Sequence, residues 1–436
     1  MRRVVVALFA VLAFGQTLGY YVYLLGDPGN YNGAGQQGDQ VAYIELAQQV
    51  LHGTWQGAVH YMPGLPAVIA LAQLVFGDPR LGIAVVQCVL DAGLVVAAAR
   101  LSTRFFGPPT AAWAAALVAL NAAIGYYASQ ALTEFLTGAV LFGLVVTFAR
   151  GRILLAGLLI GLAGYLRAEY LALAPLFGLL VVWLGRRRLL RAVGQAGLLV
   201  VVAGLVIAPW VLRYALVTGR PALYNESPFS NLVLMGTWFR VFDEPTFTEL
   251  QRIETAPGPR EQAIEQARSV GPRPDLSARY MEQARGPYER PFGETLSIAA
   301  ENVRLNTRQY LVNHVVLAPV LIWAGRTPVR QADAPRLPAS ARYAVWAAEL
   351  AMLVLAVWQA VRGVRDPPAA ALSLAFLAVV AFLTAVHILI AVDERFTTPA
   401  LPLVGVFAGA RLGLLLSPRR GLSVQPPVLA SARRAR

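Results

Sequence analysis

The sequence predicts an all-α fold: a polytopic transmembrane helical bundle with in-plane interfacial helices and a large extracytoplasmic loop. Three observations predict it. Of 436 residues, 57% are hydrophobic and only 14% are charged, against roughly 25% charged in a soluble domain. Mean hydropathy is +0.55. Several apolar runs reach about 20 residues, enough to cross a hydrocarbon core about 30 Å thick.

Met1-Arg2-Arg3 followed by Val4 to Phe14 has the form of a signal peptide. The run continues through Tyr20, Tyr21 and Tyr23 without a small-x-small cleavage site. It reads as an uncleaved signal anchor with its N-terminus in the cytoplasm and its tyrosines in the far interface. Apolar runs then give spans at roughly 4–25, 81–102, 110–128, 134–149, 153–166, 169–185, 193–216, 308–324, 343–361, 368–391 and 397–415, about eleven in all. Residues 63–77 are apolar but short, and read as an in-plane or half-embedded segment. That reading puts Arg100, Arg104, Arg150, Arg152 and the cluster Arg186 to Arg191 in the cytoplasm. It also puts the loop 26–80, Ser129 to Glu134, Arg167 to Glu169 and the hydrophilic segment 218–307 together outside.

Within that segment, Glu294 to Arg304 has the amphipathic pattern of an interfacial helix. A lid, an acceptor-docking loop and a solvated connector all suit the segment. Beyond residue 325 the count meets a conflict. Arg326, Arg330, Arg336 and Arg342 favour a cytoplasmic loop, the Arg-rich tail also favours the cytoplasm, and four remaining spans do not allow both. The chain divides into an N-terminal transmembrane catalytic module (1–217), an extracytoplasmic loop (218–307), C-terminal transmembrane helices (308–416) and an Arg-rich tail expected to be disordered (417–436).

Net charge is +13, with no lysine. The arginines gather at span ends (Arg186 to Arg188, Arg419-Arg420, Arg433-Arg434), so topology accounts for them and nucleic-acid binding is excluded as a partner class. The single cysteine, Cys88, excludes an intrachain disulfide and a Cys-cluster metal site. No His-x-x-x-His spacing points to zinc. Gly-rich phosphate loops, nucleophile elbows and kinase motifs are absent from the sequence. No internal repeat speaks for an inverted-repeat transporter.

Polar islands between the spans carry the candidate chemistry. Asp39 starts a helix with Tyr43, Leu46, Ala47 and Val50 on one face. It reads as an N-cap or as a general base taking a proton from an acceptor hydroxyl or amine. Glu134 opens a span after Ser129-Gln130-Ala131-Leu132-Thr133. It caps with Ser129 or Thr133, or faces a cavity, because a carboxylate at the edge of an apolar run is costly without a partner. Two acids on one membrane face suit acid/base work or a shared divalent cation. Arg167 and Glu169 share a tight turn; they pair with each other, or Arg167 binds a lipid phosphate with its forked donors. His60 and Tyr61 precede Pro63-Gly64-Leu65-Pro66, where a lone histidine is most simply structural. Asp393-Glu394-Arg395-Phe396 is an interfacial stop signal, or places Arg395 for phosphate recognition.

The order of these islands resembles the membrane glycosyltransferases of the GT-C superfamily, in particular the branch of protein O-mannosyltransferases and the aminoarabinose transferase of lipid A. The resemblance runs over roughly 1–410. It rests on Asp39, Tyr43, Ala47 and Gly53; on Tyr61-Met62-Pro63-Gly64-Leu65-Pro66; and on Glu134 and Arg167. Pro209-Trp210-Val211-Leu212-Arg213-Tyr214 with Gly219-Arg220, and Arg395-Phe396-Thr397-Thr398-Pro399-Ala400-Leu401-Pro402, complete it.

It implies an inverting transfer from a polyprenyl-phosphate-linked sugar to a lipid, glycan or protein acceptor, outside the cytoplasm at a bacterial plasma membrane. By the same resemblance Asp39 is the catalytic base and Glu134 supports the acceptor or a divalent cation. Arg167, Arg395 and His60 hold the donor phosphate, and Tyr43, Tyr61 and Glu169 line the substrate site. The chain departs from the pattern in three places. Gly38-Asp39-Gln40 lacks the paired Asp-Glu of the protein mannosyltransferases, His60 stands nearest where others have a lysine, and no C-terminal soluble domain follows. A polytopic transporter or lipid flippase is the alternative, expected to spread charges through mid-span positions.

Overall fold

The computed structural model describes residues 2–26, 39–55, 61–223, 227–287, 290–329, 333, 336–389 and 392–417. It is an all-α, multi-pass membrane protein, with no strand among the described residues. Six helices are long and apolar enough to cross a membrane: α1 (Arg2–Leu25), α4 (Pro79–Phe106), α10 (Leu189–Thr218), α18 (Ala339–Val364), α19 (Ala370–Leu389) and α20 (Leu401–Leu416, continued from the 3₁₀ turn at Glu394). A seventh is the pair α5 (Ala111–Ala119) and α6 (Ala122–Ala128), bent by 53°. Asn121 makes the bend, its side chain accepting from the amides of Ala123 and Ile124. The exact count of eleven is not confirmed by length and composition among the described residues. α7 (Thr133–Ala149), α8 (Ile153–Leu166) and α9 (Leu173–Leu184) are apolar but shorter.

α2 (Asp39–Leu51) and α3 (Gly64–Phe76) follow α1. At 13 residues α3 is about 20 Å long, too short to cross, as its sequence implied. Pro63 precedes its first turn and Gly64 begins it. A Cβ on Gly64 would stand 2.6 Å from the Tyr165 carbonyl oxygen, so only glycine lets α3 close on the end of α8. Gly138 does the same for α7, whose backbone packs on Pro399. Lipid is as apolar as a side chain, so close approach at small residues holds such helices together. The main core adds aromatic packing, including stacked Phe376 and Phe407 at 4.3 Å between centroids.

The hydrophilic segment folds into α11 (Ser227–Thr237), α12 (Glu244–Thr255), α13 (Arg260–Ala267), α14 (Pro274–Ala284) and α15 (Phe292–Leu305). A separate apolar cluster around Trp238, Leu250, Tyr280 and Met281 fills it. α15 covers the expected amphipathic stretch, burying Thr295, Ala299 and Asn302 while Leu296 and Leu305 stay exposed.

The structure corrects the reading of 308–324 as a span. The segment is broken into α16 (Thr307–Leu311), a π turn over Val312–Leu317 and α17 (Ala318–Ala324). Asn313 donates to the Phe239 carbonyl at 2.7 Å, and His314 lies against the Gly236 and Ile388 carbonyls. Just past the far end, Arg326 reaches Thr397 and Thr398. Both ends therefore lie at one end of the bundle, the end that holds Asp39 and Arg395, and the segment does not cross. Only α18, α19 and α20 remain. They leave residue 325 at that same end and residue 417 at the other. The loop contacts agree: Tyr23, at the end of α1, donates to Asp333. Arg326 is no topological signal but a buried internal cation.

Candidate functional site

Four segments far apart in sequence converge at one end of the bundle. They are the start of α2, the start of α7, the turn after α8 and the 3₁₀ turn Glu394–Ala400. Asp39 is the first residue of α2. Its Oδ2 accepts from Arg395 Nη1 at 2.8 Å, and its Oδ1 accepts from the Tyr61 hydroxyl at 2.9 Å. The carboxylate is thus engaged across the site rather than spent as an N-cap. Tyr43 packs edge-on against Tyr61 at 4.8 Å. Burial pushes the Tyr43 phenol up, against the opposing pull of Arg167, so it stays neutral.

Glu134 lies in the first turn of α7 and is 2% exposed. Ser129 donates to the Tyr126 carbonyl, and the cap position, Leu132, makes no side-chain bond. Glu134 Oε1 instead stands 3.5 Å from Arg167 Nη1 and 3.9 Å from Arg395 Nε. Its other oxygen is buried without a partner. Arg167 ends α8 in an extended conformation and pairs through Nε with Glu169 at 2.5 Å. Burial alone would favour its neutral form; Glu169, with Tyr170 and Glu134, outweighs this and holds it protonated.

Asp393 caps the 3₁₀ turn, accepting from the Arg395 amide at 2.9 Å, and stands 3.2 Å from Arg395 Nε. Phe396 is the floor. The Arg167 and Arg395 guanidinium carbons lie 4.6 and 5.1 Å from its ring centroid, and His387 stacks on it at 4.5 Å. Such cation–π contacts are worth about 0.5–2 kcal/mol each and hold both guanidinium planes in place. Behind Asp39, Gln40 donates to Gln130 Oε1 at 3.0 Å and accepts from the Ala131 amide at 3.3 Å, tying α2 to the start of α7.

Seven of the eight residues singled out from the sequence therefore meet: Asp39, Tyr43, Tyr61, Glu134, Arg167, Glu169 and Arg395. His60 lies outside the described residues. Asp393 and Phe396 belong to the quoted motif but carried no role there. Their adjacency to Arg395 is the signal that marks them. Gln40, Gln130 and His387 left no such signal. Four carboxylates share two guanidinium groups here, so acid is in excess. Among the described residues no three of His, Cys, Asp or Glu converge to hold a metal ion. These acids face arginines, and among the described residues they offer no common point for the divalent cation implied by the resemblance. A cavity of about 380 Å³ lies elsewhere, lined by Arg252, Pro259, Gln262, Gln266 and Arg285 among others, and no candidate residue lines it.

No family model matches the chain. A curated relative, an undecaprenyl phosphate-α-4-amino-4-deoxy-L-arabinose arabinosyl transferase of Pseudomonas savastanoi pv. phaseolicola, is 31% identical over 198 residues, 40% of this chain. The resemblance to the aminoarabinose-transferase branch stands. The match spans 36% of the relative's own length. Among solved structures, an oligosaccharyltransferase of Archaeoglobus fulgidus, in complex with Zn and sulfate, matches with TM-score 0.49 at 15% identity, over 94% of this chain and 49% of that one. ArnT of Cupriavidus metallidurans bound to undecaprenyl phosphate matches with TM-score 0.36 at 18% identity, over 91% of this chain and 77% of that one.

Proposed function

We propose that this protein is a GT-C-type inverting glycosyltransferase. It moves a sugar from a polyprenyl-phosphate-linked donor to an acceptor at the extracytoplasmic face of a bacterial plasma membrane. The observation that carries the reading is the convergence of Asp39 and Glu134 on Arg395, with Arg167 beside them, at the end of the bundle opposite residue 417, after which the Arg-rich tail begins. The positive-inside bias of that tail and of Arg150, Arg152 and Arg186 to Arg188 supports an outer site. In this reading residues 1–217 supply Asp39, Tyr61, Glu134 and Arg167, and the 3₁₀ turn before α20 completes the site with Arg395.

A lipid phosphate is already a good leaving group at the membrane surface. The protein must supply cations for the phosphate, a base for the acceptor and a fixed geometry. Arg395 and Arg167, steadied on Phe396, are the cations. The donor phosphate competes with the carboxylates for Arg395 and releases Asp39 Oδ2. The acceptor oxygen or nitrogen then attacks the anomeric carbon from the face opposite the phosphate. The carbon–oxygen bond to phosphate breaks with its electron pair leaving on the phosphate, and the acceptor proton passes to Asp39. Tyr61 holds the other carboxylate oxygen throughout.

The test is transfer by purified protein from a set of radiolabelled polyprenyl-phosphate sugars, wild type beside Asp39→Asn. We expect transfer or donor hydrolysis by wild type and a loss of about 10²–10⁴-fold in the variant. Equal turnover by both forms removes Asp39 from the mechanism. No turnover of any donor by folded wild type refutes the assignment.

A further inference from the structure

One carboxylate lies far from the site. Asp91 is separated from Pro79, at the site end of α4, by about 18 Å of helix. It is 1% exposed. Thr17 of α1 donates its hydroxyl to Asp91 Oδ2 at 2.8 Å. The other oxygen, Oδ1, is buried without a partner. One turn nearer the site, Gln87 is fully buried and donates its Nε2 to the Gln130 carbonyl at 2.8 Å. Its own oxygen, Oε1, is also buried without a partner. Positions 87 and 91 lie on one face of the helix. Glu349, the other carboxylate deep within a long helix, faces Arg326 at 3.5 Å; Asp91 has no such cation among the described residues.

Two orphaned acceptors therefore stand one turn apart inside the membrane. An ionised carboxylate offers acceptors only, whereas the acid has one O–H to donate. A proton on Oδ1 would answer both orphans at once. It would also remove an unpaired charge from the membrane interior, where such a charge is costly. A bridging water could donate to both oxygens as well, but it would leave the charge in place.

We propose that Asp91 is a proton-binding site of the membrane interior, a neutral carboxylic acid that donates to Gln87 and accepts from Thr17. The site is independent of the activity proposed above. It locks α1 to α4. Through Gln87, Gln130 and Gln40 it ends a ladder of hydrogen-bonded amides that begins beside Asp39. The proton is held, not conducted, because amides occupy every step of that ladder.

The test is infrared difference spectroscopy of the full chain in lipid nanodiscs near neutral pH. Subtracting Asp91→Asn from wild type should isolate a protonated-acid C=O band that shifts in D₂O. A carboxylate band in its place overturns the proposal. Gln87→Leu, with Asp91 intact, should move the acid band to higher frequency as its hydrogen bond is lost; an unmoved band removes Gln87 as the partner. Asparagine supplies the same donor and acceptor, so Asp91→Asn should fold and keep wild-type thermal stability and membrane insertion, with any transfer rate within about twofold. Failure of Asp91→Asn to fold also contradicts the neutral acid.

Discussion

Arg395 and Arg326 serve the same 3₁₀ turn in opposite ways. Arg326 is 1% exposed. Its fork donates to the hydroxyls of Thr397 and Thr398 and to the carbonyls of Ile322 and Trp323, and Glu349 balances its charge. All three nitrogens are bonded, so Arg326 fastens the turn to α17, and its pairing with Glu349 ties it to α18. Arg395, within the turn itself, has a side chain 31% exposed and stands among three carboxylates. In the proposed function its bonds are exchanged for those of an incoming anion. One arginine builds the platform and, in that reading, the other uses it. Burial, more than residue type, separates the two roles.

Breaking the structural member should have the largest effect on stability. Arg326→Met leaves Glu349 buried without its cation and frees two threonine hydroxyls. We expect a loss of about 3–5 kcal/mol, read as faster thermal inactivation in nanodiscs. An unchanged inactivation rate would place Arg326 outside the scaffold. Tyr61→Phe sharpens the other side of the comparison. It removes one bond to Asp39 while Arg395 remains, so transfer should fall by about 0.5–1.5 kcal/mol in activation free energy with stability unchanged. A loss as deep as that of Asp39→Asn would give Tyr61 a direct chemical role.

The smallest effect lies on the hydrophilic segment. The hydrogen bond and charge of Arg279 hold the Glu301 carboxyl below the ordinary carboxylate range. A lowered value means the contribution to stability is fully present above the ordinary carboxylate value and is lost as pH falls through the folded-state value. Glu301→Gln should therefore flatten the acid side of the stability profile slightly, with transfer at neutral pH unaffected. Profiles that coincide at every pH would mean that the exposed pair contributes nothing.

Much of this was legible in the sequence because charge is rare in an apolar chain and expensive there. Glu134, Arg167 and Arg395 announced themselves at the edges of apolar runs and Asp39 in a polar island between spans, and the fold brings them together. Residues 308–324 misled because composition reveals neither a π turn nor the contacts that keep both ends of the segment at one end of the bundle. Arg326 misled because a buried arginine and a topological one are the same letter. Asp91 went unmarked because a lone acid inside a long apolar run has no sequence neighbour to give it meaning; Thr17 reaches it only in three dimensions. The glycines were visible, yet the carbonyl that makes Gly64 necessary belongs to Tyr165, about a hundred residues on.

The central claim is that Arg395 exchanges a protein carboxylate for a lipid phosphate. The direct measurement is undecaprenyl phosphate binding in nanodiscs by wild type and Arg395→Met, each first shown to be folded by thermal denaturation. The account predicts weaker binding by about 1.5–3 kcal/mol, roughly 10- to 150-fold, with thermal stability near that of wild type. Equal affinity in the two folded proteins would contradict it.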